Sequence, residues 1–300
     1  MTWWLSALLR VVLTSFGFLV SFFPRKLELI VGPYIGRLVF WFHRNIQPKR
    51  SQVAYDNLKK CYPAISERER QSLLRQNYQH YGILILELFH LFSPIPGHYR
   101  RYILKNTKIH GLENFLNAKK TKRPLILVTA HVGNWEMMVA CGALHGVNTL
   151  MVTKHLKPEW LHKKIEASRQ STGVGAVYEP KTLPGILRGL KELRPVGFAF
   201  DQYAGPPIGI EVPFFGIKVG TLAAVGKLAK RSGALVLSVK GYRDADGIVH
   251  TCMQEPVDYK NQDLDEVEIT SHLSSKVEGW VRENPDQWLW IHRRFKNVSI

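Results

Sequence analysis

The chain has 300 residues, 45% hydrophobic and 22% charged, a globular composition that excludes a disordered or low-complexity protein. Lys and Arg number 41 against 24 Asp and Glu, so the net charge is +17 and the surface attracts something anionic: nucleic acid, phospholipid or an acidic protein. The three cysteines, Cys61, Cys141 and Cys252, are too scattered for a disulfide framework or a Cys-x-x-Cys zinc site.

The first element is apolar. Residues 3–23 carry one charge, Arg10, and residues 11–23 carry none. About 20 helical residues cross a bilayer core. Trp3 and Trp4 stand at one end, with Pro24, Arg25 and Lys26 at the other. Indoles at headgroup depth and cations beyond them suit a membrane anchor. The alternatives are a cleaved signal peptide, which lacks its small-residue cleavage site here, and a core or interfacial helix. Residues 27–42 read as an amphipathic partner lying on the same surface. Residues 1–45 are thus expected to anchor the protein on a membrane.

Residues 46–105 form a helical N-terminal subdomain in this reading. Tyr55, Leu58 and Tyr62 recur at helical spacing. Ser66 followed by Glu69 is a capping box, and the helix it opens turns Leu73, Leu74, Tyr78 and Tyr81 inward before the breaker Ser-Pro-Ile-Pro-Gly at 93–97.

From residue 106 to 300 the texture is α/β. Short, nearly unalternated apolar runs at 124–130, 148–153, 196–200 and 234–239 read as strands buried on both faces. Helical stretches at 136–145, 158–170, 183–193 and 221–232 separate them, and 264–283 follows as a last helix. The fold expected is α/β, a mostly parallel central sheet flanked by helices, preceded by the helical region and its anchor. No Gly-x-Ser-x-Gly elbow, Walker loop, dinucleotide-binding glycine loop or His-Glu-x-x-His occurs, which sets aside the enzymes built on them.

One segment carries chemistry: Thr129-Ala130-His131-Val132-Gly133-Asn134-Trp135-Glu136, directly after a predicted strand. Ligands of open α/β sheets bind beyond the carboxyl ends of strands, which places His131 at such a site. Asn134 suits the N-cap of the next helix and Glu136 its first turn. With His131 in the turn, Glu136 reaches back to one imidazole N–H and frees the other nitrogen as a base. No serine accompanies the pair, so the nucleophile is expected from a substrate hydroxyl. The bland alternative is a loop histidine beside a helix-capping glutamate.

His131-x4-Glu136 after a strand resembles the first motif of the lysophospholipid acyltransferase superfamily. The fuller His-Val-Gly-Asn-Trp-Glu is similar to its lipid A late acyltransferase branch, the lauroyl/myristoyl acyltransferases of Gram-negative bacteria. Further resemblances follow in order: Asp201-Gln202 at a strand end, Val-Pro-Phe-Phe-Gly at 212–216, Thr221 opening a helix, and the tail from Asn284 to Phe295. They cover essentially the whole chain. Lys154 stands where the family usually has arginine, and Arg169 matches a later family arginine. The resemblance implies an inner-membrane enzyme with its site on the cytoplasmic side. It implies an acyl thioester donor, on acyl carrier protein or coenzyme A, and the hydroxyl of a phosphorylated glycolipid as acceptor. His131 would be the base and Glu136 its orienter. Asn134, Lys154, Arg169, Asp201, Gln202 and Thr221 would meet substrate, Lys154 through the acceptor phosphate. For Arg293-Arg294 it implies a substrate-phosphate or ion-pair role. No metal or other cofactor and no nucleic acid is expected; carrier protein, glycolipid and membrane lipid are the expected partners. Acylation of another membrane lipid, and a non-catalytic basic membrane-binding protein, are the other readings.

Overall fold

The computed structural model describes residues 3–179 and 182–298; the outer ends of the expected first and third regions, residues 1–2 and 299–300, lie outside them. The helical half comprises α1 (Trp3–Val20), α2 (Arg25–Asn45), α3 (Pro48–Cys61), α4 (Glu67–Phe89), a 3-10 turn (His90–Phe92) and α5 (His98–Asn106). There follow β1 (Thr107–His110), α6 (Leu112–Lys120), β2 (Leu125–Thr129), α7 (Trp135–Leu144), β3 (Leu150–Thr153), α8 (Glu159–Gln170), β4 (Gly175–Tyr178), α9 (Thr182–Lys191) and β5 (Val196–Ala199). A hairpin of β6 (Gly209–Phe214) and β7 (Ile217–Leu222) precedes α10 (Ala224–Ser232), β8 (Leu235–Arg243), β9 (Val249–Met253) and α11 (Glu266–Glu283).

Seven strands form one sheet in the order β1-β9-β8-β2-β5-β3-β4. All pairs are parallel except β8 with β9, so β9 and β1 run against the other five. The four predicted apolar runs are β2, β3, β5 and β8. Strands β1, β4, β6, β7 and β9 lie outside those runs: they are short, half-buried or paired as a hairpin, and lack the continuous apolar signal. The chain leaves β2 toward β3 and returns to insert β5 between them. It leaves β5 through the β6–β7 hairpin to reach β8 on the other side of β2. The crevice of this sheet therefore opens at the carboxyl ends of β2 and β5.

The capping box opens α4 as the sequence predicts: Ser66 accepts from the Glu69 N–H and Glu69 from that of Ser66. The core is continuous across residue 105. Ala54 and Leu58 of α3 and Leu74 and Tyr78 of α4 share one cluster with Ile126, Val128, Phe198 and the tail residues Trp288 and Trp290.

Helix α1 is long and apolar enough to cross a membrane. It rests on the body by one edge, where Ser6 accepts from the Trp160 indole at 2.7 Å and Ser21 donates to Ser93 at 2.8 Å. Helix α2 is amphipathic in an inverted sense. Its buried face is Glu28, Gly32 and Gly36, while Ile30, Tyr34, Leu38 and Trp41 are exposed. The glycines let α2 touch α4 backbone to backbone: a Cβ on Gly36 would lie 2.0 Å from the Tyr78 carbonyl oxygen, and one on Gly82 1.9 Å from that of Gly32. Beyond lying on a surface, as its sequence suggests, α2 is packed firmly into the body.

This packing predicts that Gly82→Ala destabilises the protein by about 1–3 kcal/mol, the usual cost of overpacking. Gly279→Ala in α11 meets nothing within 4 Å and is expected to be neutral or to gain up to ~1 kcal/mol of helix propensity. Thermal or denaturant unfolding of the two variants in the same detergent checks the contrast.

Candidate functional site

The β2–β5 register builds the site. Thr129 pairs with Ala199, and the Phe200 N–H donates to the Thr129 carbonyl at 2.8 Å. Two residues beyond each strand, His131 and Asp201 face one another. His131 Nδ1 lies 2.8 Å from Asp201 Oδ1, and the His131 backbone N–H donates to Oδ2 at 3.0 Å. The Trp288 indole donates to the same Oδ2 at 2.8 Å. The carboxylate is thus held by three donors in a site where it is 2% exposed, while the His131 side chain keeps 16%. With Nδ1 on a carboxylate, Nε2 is left to accept a proton.

The charges follow from this geometry. Burial opposes ionisation of both groups, but each stabilises the other. Asp201 is pulled down to about 2 by His131 and its hydrogen bonds. Burial works against the His131 imidazolium, yet the Asp201 carboxylate, its hydrogen bond and the charge of Glu136 together hold its pKa above the usual histidine value.

The expected orienter, Glu136, is not on the imidazole. Helix α7 begins at Trp135, and in its first turn the Glu136 carboxylate meets Arg169 of α8: Nε donates to Oε2 at 3.0 Å and Nη2 to Oε1 at 2.5 Å. This bidentate, charge-assisted pair satisfies Glu136, and Asp201 takes the role at Nδ1. Arg169 and Glu136 still line the same cavity as His131. That cavity is lined by residues of the sheet and of α7, among them Leu127, Met138, Val139, Gly142 and Met253. The Trp135 ring stands edge-on to the His131 ring, 4.9 Å between centroids.

The other expected substrate contacts are placed differently. Asn134 does cap α7, its Oδ1 accepting from the Met137 N–H at 3.0 Å, but its amide donates to Glu87 at 2.7 Å and the side chain is buried. It positions the turn from a buried place, with both ends of its side chain engaged by protein groups. Lys154 follows β3, which β5 separates from β2, so its strand end is two strands from His131. It is 74% exposed and 3.9 Å from Glu179. Its strand end is still at the same edge of the sheet, and Val152 and Thr153 just before it line one cavity with His131. Thr221 lies within β7, and the helix starts at Ala224. Its hydroxyl is buried and accepts from Arg294 Nη2 at 2.7 Å. The Gln202 carbonyl accepts from Arg294 Nη1 at 2.8 Å. Arg294 is fully buried on oxygens of residues 202, 220 and 221, and burial lowers its pKa to about 10. It ties the tail to the hairpin through neutral acceptors rather than through an ion pair.

The tail is the part of the site that sequence reasoning missed. Val132 and Trp288 form an antiparallel bridge, the Gly133 N–H donates to the Gln287 carbonyl, and the Leu289 N–H donates to the His131 carbonyl. Gly133 has φ +66°, and a Cβ there would lie 2.9 Å from Tyr242 Cα, so the turn depends on glycine. Asn77 and Tyr81 of α4 hold the carbonyl of Trp288, each at 2.8 Å. The available signal was the tryptophan-rich tail itself, whose indole donors need buried acceptors. Among the described residues no three His, Cys, Asp or Glu side chains converge as a metal site requires.

Comparison with known proteins bears on the family of the whole chain. The profile of a family described as bacterial lipid A biosynthesis acyltransferase matches residues 4–297. The chain is 26% identical over 293 residues to the lipid A biosynthesis palmitoleoyltransferase of Escherichia coli K12, covering 97% of this chain and 93% of that protein. It is 26% identical over 285 residues to the lipid A biosynthesis lauroyltransferase of the same organism, covering 93% and 88%. A solved 1-acyl-sn-glycerophosphate acyltransferase from Thermotoga maritima covers 88% of this chain and is itself covered over 99%, at 16% identity and a TM-score of 0.40, too low to bear on the assignment.

The His131–Asp201 contact predicts a titration. In the intact protein the His131 ring should lose its proton above the usual histidine pKa of about 6.5. In Asp201→Asn only burial remains as the dominant influence, and the midpoint should fall below that value. Ring resonances of labelled histidine, assigned with His131→Gln, report the shift. A midpoint unmoved by Asp201→Asn would separate the two groups.

Proposed function

The chain belongs to the bacterial lipid A biosynthesis acyltransferase family and is an acyltransferase. From that footing we propose that it is a membrane-bound O-acyltransferase, moving a fatty acyl chain from a thioester donor to a hydroxyl of a phosphorylated glycolipid. The observation that carries this reading is the placement of His131: its Nδ1 is held by a buried carboxylate at the mouth of an apolar cavity of the kind an acyl chain fills.

In the proposed reaction the acyl chain lies under α7 and its thioester carbonyl sits beside His131. The acceptor hydroxyl attacks this carbon as its proton passes to Nε2. The imidazolium so formed is stabilised by Asp201 in direct contact and by Glu136 at longer range. Collapse of the tetrahedral intermediate breaks the C–S bond, and the Nε2 proton goes to the departing thiolate. Positive potential for the oxyanion comes from the start of α7 and from Arg169, whose Nη1 has no partner among the described residues. Acyl carrier protein is the proposed donor because it is acidic and the chain carries +17. Membrane attachment is supported by α1 and by the apolar outer face of α2, and the cytoplasmic side of the inner membrane is the proposed location.

His131→Ala should lower kcat by about two to four orders of magnitude, the usual contribution of a general base. Glu136→Gln should cost less, since Asp201 keeps the imidazole oriented. Near-normal transfer by His131→Ala at matched membrane loading would sink the mechanism. A second outcome concerns the cavity. At Gly142 an added Cβ lies 3.6 Å from Met253 Cε and from Val147 Cβ, so a larger side chain projects toward the cavity floor. Gly142→Leu should move donor preference toward shorter acyl chains by about tenfold in relative kcat/KM, within the range hydrophobic pockets discriminate. Competition between donors of two chain lengths measures it.

A further inference from the structure

A second concavity, of about 670 Å³, opens where α2 ends and α3 begins, against the tail at 291–293. Its charged lining is Lys49, Arg50 and Arg293, with His292 beside them and Ile46 and Val53 as apolar walls. No carboxylate lines it. Among the described residues none of the three cations is in a salt bridge, unlike Arg25, Arg169 and Arg243 elsewhere in the fold. The adjacent arginines 293 and 294 divide: Arg294 turns inward onto three oxygens, while Arg293 is exposed and faces the groove.

The groove is tied to the reacting histidine by backbone. The Leu289 N–H donates to the His131 carbonyl at 3.1 Å, and the His292 N–H donates to the Leu289 carbonyl at 3.1 Å. Asn57 of α3 fixes the His292 carbonyl at 2.7 Å, and His292 Nδ1 is buried with no hydrogen-bond partner. On its other side the groove meets the exposed apolar stripe of α2, which ends in Trp41, Phe42 and Ile46. A ligand there would have an anionic part between lysine and arginines and an apolar part along α2.

We infer that this groove binds a phosphate group of the acceptor glycolipid, and that Lys49, Arg50 and Arg293 thereby set which hydroxyl reaches His131. The inference rests on the proposed acceptor class. Unpaired guanidinium and ammonium groups with no competing carboxylate suit a phosphate monoester. The membrane-facing apolar stripe that runs into the groove favours a lipid-borne phosphate over an acidic carrier protein.

The test uses the full chain in detergent micelles, a carrier-bound acyl thioester, and one glycolipid acceptor with and without its phosphates. In Lys49→Ala/Arg50→Ala and in Arg293→Ala, the KM for the phosphorylated acceptor should rise roughly tenfold, equivalent to about 1.4 kcal/mol. The KM for the donor should stay put, and the preference for phosphorylated over dephosphorylated acceptor should shrink. Lys49→Arg should keep the parent behaviour. An unchanged acceptor KM overturns the inference. A rise in donor KM alone overturns it too and gives the groove to the carrier protein. Equal loss on both acceptors reduces the cations to general surface attraction. Failure of the unmutated chain to acylate any phosphorylated glycolipid would instead remove the acceptor reading itself.

Discussion

The buried carboxylate of Glu87 joins α2, β8 and the turn after β2 at one point. It accepts from Arg25 of α2 at 2.6 Å, from Arg243 of β8, and from the Asn134 amide at 2.7 Å. Burial alone would push its pKa up; Arg243 and Arg25 pull it down to about 2. An ion so enclosed is tolerated only with every partner in place, and removing one leaves a buried charge uncompensated. Arg243 also reaches His80, where burial and that guanidinium lower the imidazole pKa to about 3. Arg25 continues the network to Glu28, which Tyr102 and His90 also hold. The helix that presents an apolar face outward and the turn that carries His131 are therefore anchored to one carboxylate.

A second buried carboxylate, Asp201, holds the His131 ring and its backbone N–H, and it does so with help from distant segments. Trp288 occupies one of its oxygens, and the bridge from Trp288 to Val132 sets the turn on which His131 stands. The tail in turn is pinned by Asn57, Asn77 and Tyr81 from the helical half. A lever this long, running from α3 and α4 through the tail to a strand end, explains why the core does not divide between the helical region and the sheet.

These two arrangements leave His131 between unlike environments. On one side, residues of α7 and the sheet line an apolar cavity that includes Met253. Beyond the tail lies a groove of unpaired cations next to the apolar face of α2. An acyl chain suits the first, and a phosphate-bearing lipid suits the second. The Glu136–Arg169 pair stands at the mouth of the cavity, where its charges are close enough to influence His131 without touching it.

The sequence by itself determined the elements whose signals are local. Continuous apolar runs made β2, β3, β5 and β8 legible, the Ser66–Glu69 capping box placed the start of α4, and the end of the β2 run placed His131 in the turn beyond the strand. The character of α1 followed from 18 residues of apolar helix. Tertiary structure decided what depends on order in space. Inserting β5 between β2 and β3 brought Asp201 to His131 and put one strand between those of His131 and Lys154, because neighbours in a parallel sheet need not be neighbours in the chain. The inward face of α2 is Glu28 with two glycines, Gly32 and Gly36, which a hydrophobic pattern reads as polar gaps although the backbone contact needs the glycines. The partner of Glu136 lies 33 residues on, and those of Asp201 lie 70 residues back and 87 on. A carboxylate pairs with whichever donor the folded chain brings within hydrogen-bond reach, and spacing along the sequence does not encode that distance.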